Sequence, residues 1–160
     1  MFRYIGRMAT SYSLQVSETI HAPAAKVFQI VNDLKQFEHW NPFLAMDPAT
    51  DYQISPNPSG EGATYSWQSK RMGKGSMVFT SVIPNTSIAI EMTFTSPNQE
   101  TAHSDWILYS KGDATEITWT MTGQRTFLMS LMVKVLRMDK MMSKHFLDGL
   151  GRLKAYVEKK

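Results

Sequence analysis

No cysteine occurs among the 160 residues, which removes disulfides, thiolate nucleophiles and Cys-ligated metal from the chemistry open to this chain. Long apolar runs are missing too. The most apolar run, 127–133, is far shorter than the ~20 residues a bilayer-spanning helix needs, and Lys134 interrupts its continuation. Residues 1–11 carry Arg3 and Arg7 but no apolar core and no cleavage-site pattern, so no secretory leader is expected and a cytoplasmic location is the default. A dominant charge of one sign is also absent. Lys and Arg total 17 against 14 Asp and Glu, and apart from Lys70, Arg71, Lys74 and the C-terminus they are dispersed, so no nucleic-acid partner is expected. His21, His39, His103 and His145 show no HExxH or HxH spacing, and the carboxylates form no calcium loop. There is no GxSxG, P-loop or dinucleotide fingerprint. Neither a metal nor a cofactor is therefore expected.

What is present suits one globular domain: 42% of the residues are hydrophobic and 19% charged, in a chain long enough for a single core. We expect residues 1–11 to be a flexible extension and 12–160 one domain. "SLQVSETIHA" alternates Leu14, Val16 and Ile20 with polar residues, the period of a strand with one buried face. Pro23 then opens a helix over "AAKVFQIVNDL", and a short helical piece or tight loop around "FEHWNPF" follows, its length limited by Pro42. In that loop Trp40 is expected to plug one end of the core and His39 to cap a turn.

From Ala49 to Gly123, β-branched and aromatic residues alternate with polar ones between turn formers such as "SPNPSGEG", "MGKG", "IPNTS" and "SKGDA". This predicts an antiparallel meander with strands near 50–55, 63–70, 75–83, 87–95, 102–110 and 115–122, seven with the first. Past Gly123 the period becomes helical for about thirty residues, giving one amphipathic helix roughly 45 Å long at the standard rise. Its apolar face carries Leu131, Val135, Met138, Met142, Phe146, Leu150, Leu153 and Val157, and its polar face Lys140, Lys144, Asp148 and Arg152.

These segments resemble a known family. "ETIHAPAAKVFQIVNDLKQFEHWNPF" is similar to the opening strand, proline-started helix and Trp-containing loop of the birch-pollen-allergen, START and polyketide-cyclase (SRPBCC) superfamily. "GEGATYSWQSKRMGKGSMVFTSVIPNTSIAIEM" resembles its paired strands, and "TEITWTMTG" with "LDGLGRLKAYVEKK" its last strand and helix end. The resemblance spans about Ser13 to Lys159, and the match is best to the polyketide cyclase/dehydrase-like branch. It implies an α+β helix-grip fold: a seven-stranded curved antiparallel sheet around a long C-terminal helix, with two short helices between strands one and two. It implies a pocket rather than a reaction, since one fold hosts many activities.

Alternation then nominates the wall of such a pocket: Tyr65, Trp67, Met77, Phe79, Ile90, Met92, Ser104, Trp106, Trp119 and Met121 from the sheet, with Ile88, Phe94, Ala102, Leu108 and Ile117 on the same face. Val135, Met138, Met142 and Phe146 would face them from the helix. The bland reading of each is ordinary core. The methionines, four of them in "MVKVLRMDKMMSKHF", favour an adaptable binding surface. Tyr65, Ser104, Gln68 and Thr64 are the nearest polar groups, and Tyr65 is the first choice for a ligand hydrogen bond. Met129, Val133, Leu136 and Met141 make the start of the helix apolar nearly all round, which suggests a homodimer contact, a portal or a membrane-touching surface.

Three acid–base candidates stand out. Asp139 falls on the apolar side of the last helix, where it would have a raised pKa or else pair with Lys140 or Lys144. His103 and Asp105 alternate together opposite Ser104 and Trp106, which puts them on the solvent face unless the facing is reversed. Gly149 and Gly151, unfavourable in a helix, imply close packing there. The resemblance, together with the methionine-rich wall, implies a binding or transport module for a hydrophobic small molecule, a lipid or polyketide-like aromatic. A cyclase or dehydratase acting on such a ligand and a protein-interaction module using the last helix are the alternatives.

Overall fold

The computed structural model describes residues 9–96, 99–126 and 138–159. Seven antiparallel strands form one sheet in the order β1-β7-β6-β5-β4-β3-β2: β1 Ala9–Ile20, β2 Asp51–Ile54, β3 Thr64–Ser69, β4 Gly73–Ile83, β5 Ser87–Ser96, β6 Glu100–Lys111 and β7 Ala114–Thr126. Between β1 and β2 lie α1 (Ala24–Val31), a 3-10 helix (Leu34–His39) and α2 (Pro42–Met46). The last helix, α3, spans Met138–Glu158. This is the α+β helix-grip architecture that the family resemblance implied.

β4 pairs with β5 and β6 with β7 through tight hairpins that carry residues tolerating positive φ, Asn85 in the first and Gly112 in the second. The chain's first strand then pairs with its last, from Ala9 opposite Thr126 to Ile20 opposite Thr115. Register breaks in β4 between Lys74 and Gly75 and between Phe79 and Ser81 bend that strand, so the sheet curves around α3.

Three boundaries differ from the expected ones. β1 begins at Ala9, so residues 9–11, expected in a loose extension, pair with β7. Pro42 does not limit a helix; it starts α2, with Asn41 as its N-cap, since a proline at the first helical position loses no hydrogen bond. β7 runs past Gly123 to Thr126. Gly123 is a packing glycine: a Cβ there would lie 2.6 Å from the Tyr12 hydroxyl across the strand pair. The expected helical stretch 127–137, with Val135 and the apolar surface from Met129 to Leu136, lies outside the described residues. So do the side chains of Met138 and Asp139 in the first turn of α3.

The described part of α3, 21 residues, is about 31 Å long at 1.5 Å per residue. Phe146, Leu150, Leu153 and Val157 are buried against the sheet, whereas Lys140, Lys144, Asp148 and Arg152 are exposed. Each such apolar side chain removed from water stabilises the fold by about 1.5–3 kcal/mol. The far end of α3 is tied to β1 by Lys154 Nζ donating to the Thr19 carbonyl at 2.8 Å and by the His21 N–H donating to Glu158 at 2.8 Å. Trp40, expected to plug one end of the core, is 1% exposed. Its neighbour His39 stacks on Tyr156 with ring centroids 4.5 Å apart.

Candidate functional site

A cavity of about 330 Å3 lies between the concave face of the sheet, the first turns of α3, and the segment running from the 3-10 helix through α2. That is near the lower end of the roughly 300–1,000 Å3 common for small-molecule sites. Its floor is buried: Met77, Ile90, Ser104, Trp106, Trp119 and Met121 all belong to the core face of β4 to β7. Phe43, Leu44, Met72, Phe94 and Met142 are half-buried and form the rim.

The aromatic rings are stiff plates set against one another rather than pressed into the space. Trp119 stacks on Phe146 of α3 at 4.2 Å, the planes 4° apart. Trp106 meets Trp119 edge-on at 5.9 Å and Trp40 at 4.8 Å. On the other side Tyr65 stacks on Tyr52 at 5.2 Å and takes the edge of Phe37 at 5.3 Å. Trp67 lies across Gly75, where any Cβ would also come within 2.7 Å of the Thr93 carbonyl oxygen; this position holds the indole against the wall.

Polar groups in the wall are few, and each has a structural origin. Asn41 caps α2: its Oδ1 accepts from the N–H groups of Phe43 at 3.0 Å and Leu44 at 3.4 Å. With the oxygen so engaged, the amide nitrogen turns inward and donates to the Tyr65 hydroxyl at 3.3 Å. Burial raises the Tyr65 pKa well above 10.0, outweighing the Asn41 hydrogen bond that lowers it; Tyr52 and Glu38 push it further up. The phenol is therefore neutral at any physiological pH. Ser104 donates to the Thr120 carbonyl at 2.7 Å and accepts from Trp119 Nε1 at 3.0 Å. Thr50 donates to the Asp47 carbonyl at 2.7 Å.

The rim is fastened by a second polar cluster. Ser69 donates to Asp47 Oδ2 at 2.7 Å and accepts from the N–H groups of Arg71 at 3.2 Å and Met72 at 3.1 Å. The loop after α2 is thereby joined to the β3–β4 turn, which brings Met72 to the cavity. The Ser69 hydroxyl and the Ala49 N–H hold the Asp47 carboxyl below its ordinary value, against a smaller opposing effect of burial; Arg71 adds to the lowering.

Most residues nominated from the sequence meet at this cavity: Tyr65, Trp67, Met77, Ile90, Met92, Ser104, Trp106, Trp119, Met121, Met142 and Phe146 all line it. Phe79 does not. It is fully buried behind the wall, edge-on to Trp106 at 5.7 Å. Thr64 and Gln68 lie on the opposite face of β3 from Tyr65, Thr64 donating to the Gly62 carbonyl and Gln68 exposed. His103 is exposed and sits opposite Glu91 on the convex face of the sheet, and Asp105 accepts there from the Thr120 hydroxyl at 3.3 Å. Both face away from the cavity. Gly149 packs against Pro42 and Trp119, but Gly151 has nothing within 4 Å of its missing Cβ. Among the described residues no group of three or more His, Asp or Glu could hold a metal ion, and no helix is long and apolar enough to cross a membrane.

Sequence reasoning missed Phe37, Asn41, Phe43, Leu44, Thr50 and Met72 in the lining. Asn-Pro ahead of "FLAM" is a readable cap signature, but the reach from Asn41 to Tyr65 is a tertiary contact that no local pattern reveals.

The same architecture occurs in solved structures of low sequence identity. Truncated norcoclaurine synthase from Thalictrum flavum is 9% identical with a TM-score of 0.71, over 93% of this chain and 94% of its own. Protein MLL2253 from Mesorhizobium loti is 12% identical with a TM-score of 0.69, over 93% of this chain and 98% of its own. DynU16, from the dynemicin biosynthetic locus, is 18% identical with a TM-score of 0.66 over 91% of this chain; the chain spans 47% of that protein's length. At these identities the likeness is one of fold. No curated protein matches the sequence. The model of the polyketide cyclase / dehydrase and lipid transport family matches residues 11–158, and the chain belongs to that family.

Proposed function

We propose that the protein binds or carries a hydrophobic small molecule, a lipid or polyketide-like aromatic, in the cavity between the sheet and α3. The observation that carries this reading is a hollow of about 330 Å3 whose wall holds no charged side chain among the described residues. Apolar surface facing an unfilled space forgoes contacts that a packed core would make, and an apolar ligand restores them. The methionines at 72, 77, 92, 121 and 142 supply adaptable surface for that purpose.

Proton-transfer catalysis in the same cavity has weaker support. The titratable group in the described wall is Tyr65, and burial drives its pKa away from the range in which a side chain exchanges protons efficiently. His103 and Asp105 face the other way.

Native mass spectrometry of the purified protein, followed by denaturing extraction, is expected to show a one-to-one apolar adduct. Met142→Trp, which places an indole in the hollow, is expected to lose it. A protein that carries no adduct and takes up no apolar compound offered to it would remove this reading.

A further inference from the structure

The two edges of the sheet meet solvent differently. β2 is four residues long, opens on the charged Asp51 and is flanked by Pro48 and Pro56, features that guard an edge strand against pairing with another chain. β1, the other edge, runs against β7 from Ala9 to Ile20 without a bulge, and it has neither proline nor charge before Glu18.

The end of β1 shows which of its backbone groups point outward. The Thr19 N–H donates to the Glu18 carboxylate at 3.0 Å and the Thr19 carbonyl accepts from Lys154 at 2.8 Å, so both are turned away from β7. The bonding side alternates along an antiparallel strand, so Ser11, Ser13, Gln15 and Ser17 turn their N–H and C=O groups outward as well. The β6–β7 hairpin gives the same parity. Lys111 and Ala114 close a two-residue turn as a hydrogen-bonded pair, which leaves Ile117, Trp119, Met121 and Gly123 to bond Glu18, Val16, Leu14 and Tyr12. Ser11, Ser13, Gln15 and Ser17 are exposed, and their outward groups have no partner among the described residues. The neighbouring flank of α3 leaves room beside them: Leu147 and Gly151 share that flank with Lys154, yet Leu147 is 45% exposed and Gly151 has nothing within 4 Å of a Cβ.

We infer that β1 is the interface between two copies of this chain, paired antiparallel about a twofold axis at Leu14. That register uses every open group from Ser11 to Ser17. Ser11 meets Ser17 of the partner subunit and Ser13 meets Gln15 of the partner subunit, for about eight backbone hydrogen bonds in all. On the concave side Leu14 meets its own copy and Tyr12 meets Val16 of the partner subunit, so apolar faces apolar. Charge favours this edge too: the net +3 of the chain opposes self-association in general, whereas β1 from Ala9 to Ser17 carries no charge to repel its copy.

The test is the oligomeric state of the full chain, by light scattering across the micromolar range, with exchange of individual amides followed by NMR. A dimer is expected, in which the Ser11, Ser13, Gln15 and Ser17 amides gain protection as concentration rises while those of Tyr12, Leu14 and Val16, bonded to β7, are protected throughout. Ser13→Pro removes an outward N–H and spares the β1–β7 ladder. It is expected to fold and to weaken the dimer about thirtyfold, the worth of two net hydrogen bonds lost by symmetry. If Ser13→Pro does not fold, Ser13→Lys combined with Gln15→Lys decides, since it sets Lys against Lys twice across the axis; a folded monomer is expected. Gln53→Lys, on the opposite edge, should leave the dimer intact. A parent that is monomeric throughout the range, or a dimer indifferent to the changes at 13 and 15, would overturn the inference.

Discussion

Along α3 the interior changes character at Gly149. Toward the C-terminus Leu150, Leu153 and Val157 are fully buried and meet a solid core with Ile20, Val27, Val31, Leu34, Ile88 and Ile117. Toward the N-terminus Met142 and Phe146 face the hollow, with Trp67, Met77, Met92 and Trp119 across it. Both halves are apolar, so hydrophobicity does not distinguish them; side-chain shape does. Branched aliphatics interdigitate until no void is left. Aromatic plates propped edge-to-face and unbranched methionines leave space between them. One half of this interior is filled by its own side chains and the other leaves a cavity.

The largest expected effect tests that division. Leu153→Ala should cost about 2–5 kcal/mol, because it opens a cavity in a filled region. Met142→Ala only enlarges a space already present and should cost about 1 kcal/mol, the lost transfer of a half-buried side chain. Urea denaturation of both variants gives the comparison, and equal losses would mean that the two halves are packed alike.

A smaller effect sharpens the boundary. Gly149→Ala puts a Cβ 2.9 Å from Pro42 Cδ and 3.1 Å from Trp119 Cζ3. Neither ring can step aside cheaply. Overpacking of about 1–3 kcal/mol should therefore exceed the ~1 kcal/mol gained in helix propensity. Gly151, with open space around it, should show the opposite sign: Gly151→Ala is expected to stabilise by about 0.5–1 kcal/mol. Thermal midpoints of the pair would settle whether close approach is confined to position 149.

The smallest effect concerns the rim. Because the Asp47 pKa is lowered by Ser69 and the Ala49 N–H, its contribution to stability is present above the ordinary value of 3.8 and fades as pH falls through the lowered one. Asp47→Asn should therefore be less stable than the parent near neutrality, and the gap should close in acid. A gap that is the same at both pH values would show that the carboxylate charge is not what holds the β3–β4 turn.

Particular residues show how far the pattern could be read. Period-two alternation put Ser104 and Trp106 inside and His103 outside, as observed, because a strand offers no other arrangement once one face is buried. Proline at 23 marked the start of α1 in the same way. Gly123 was misleading: a strand glycine that accommodates Tyr12 looks, in one dimension, like a strand end. Pro42 misled for a similar reason, since a proline that opens a helix and one that closes a segment are spelled alike.

By itself the sequence determined the element order, the facing of the strands, the buried stripe of α3 and the apolar nature of the interior. These follow from backbone periodicity and burial, which are local properties. Only the tertiary structure decided that Phe79 is solid core while Met77 two residues away faces a void. It alone brought Asn41 to Tyr65 and left the hydroxyl hydrogen unengaged. Emptiness and unspent hydrogen bonds belong to no single residue; they arise from how separated segments meet, and so cannot be read from any one stretch of chain.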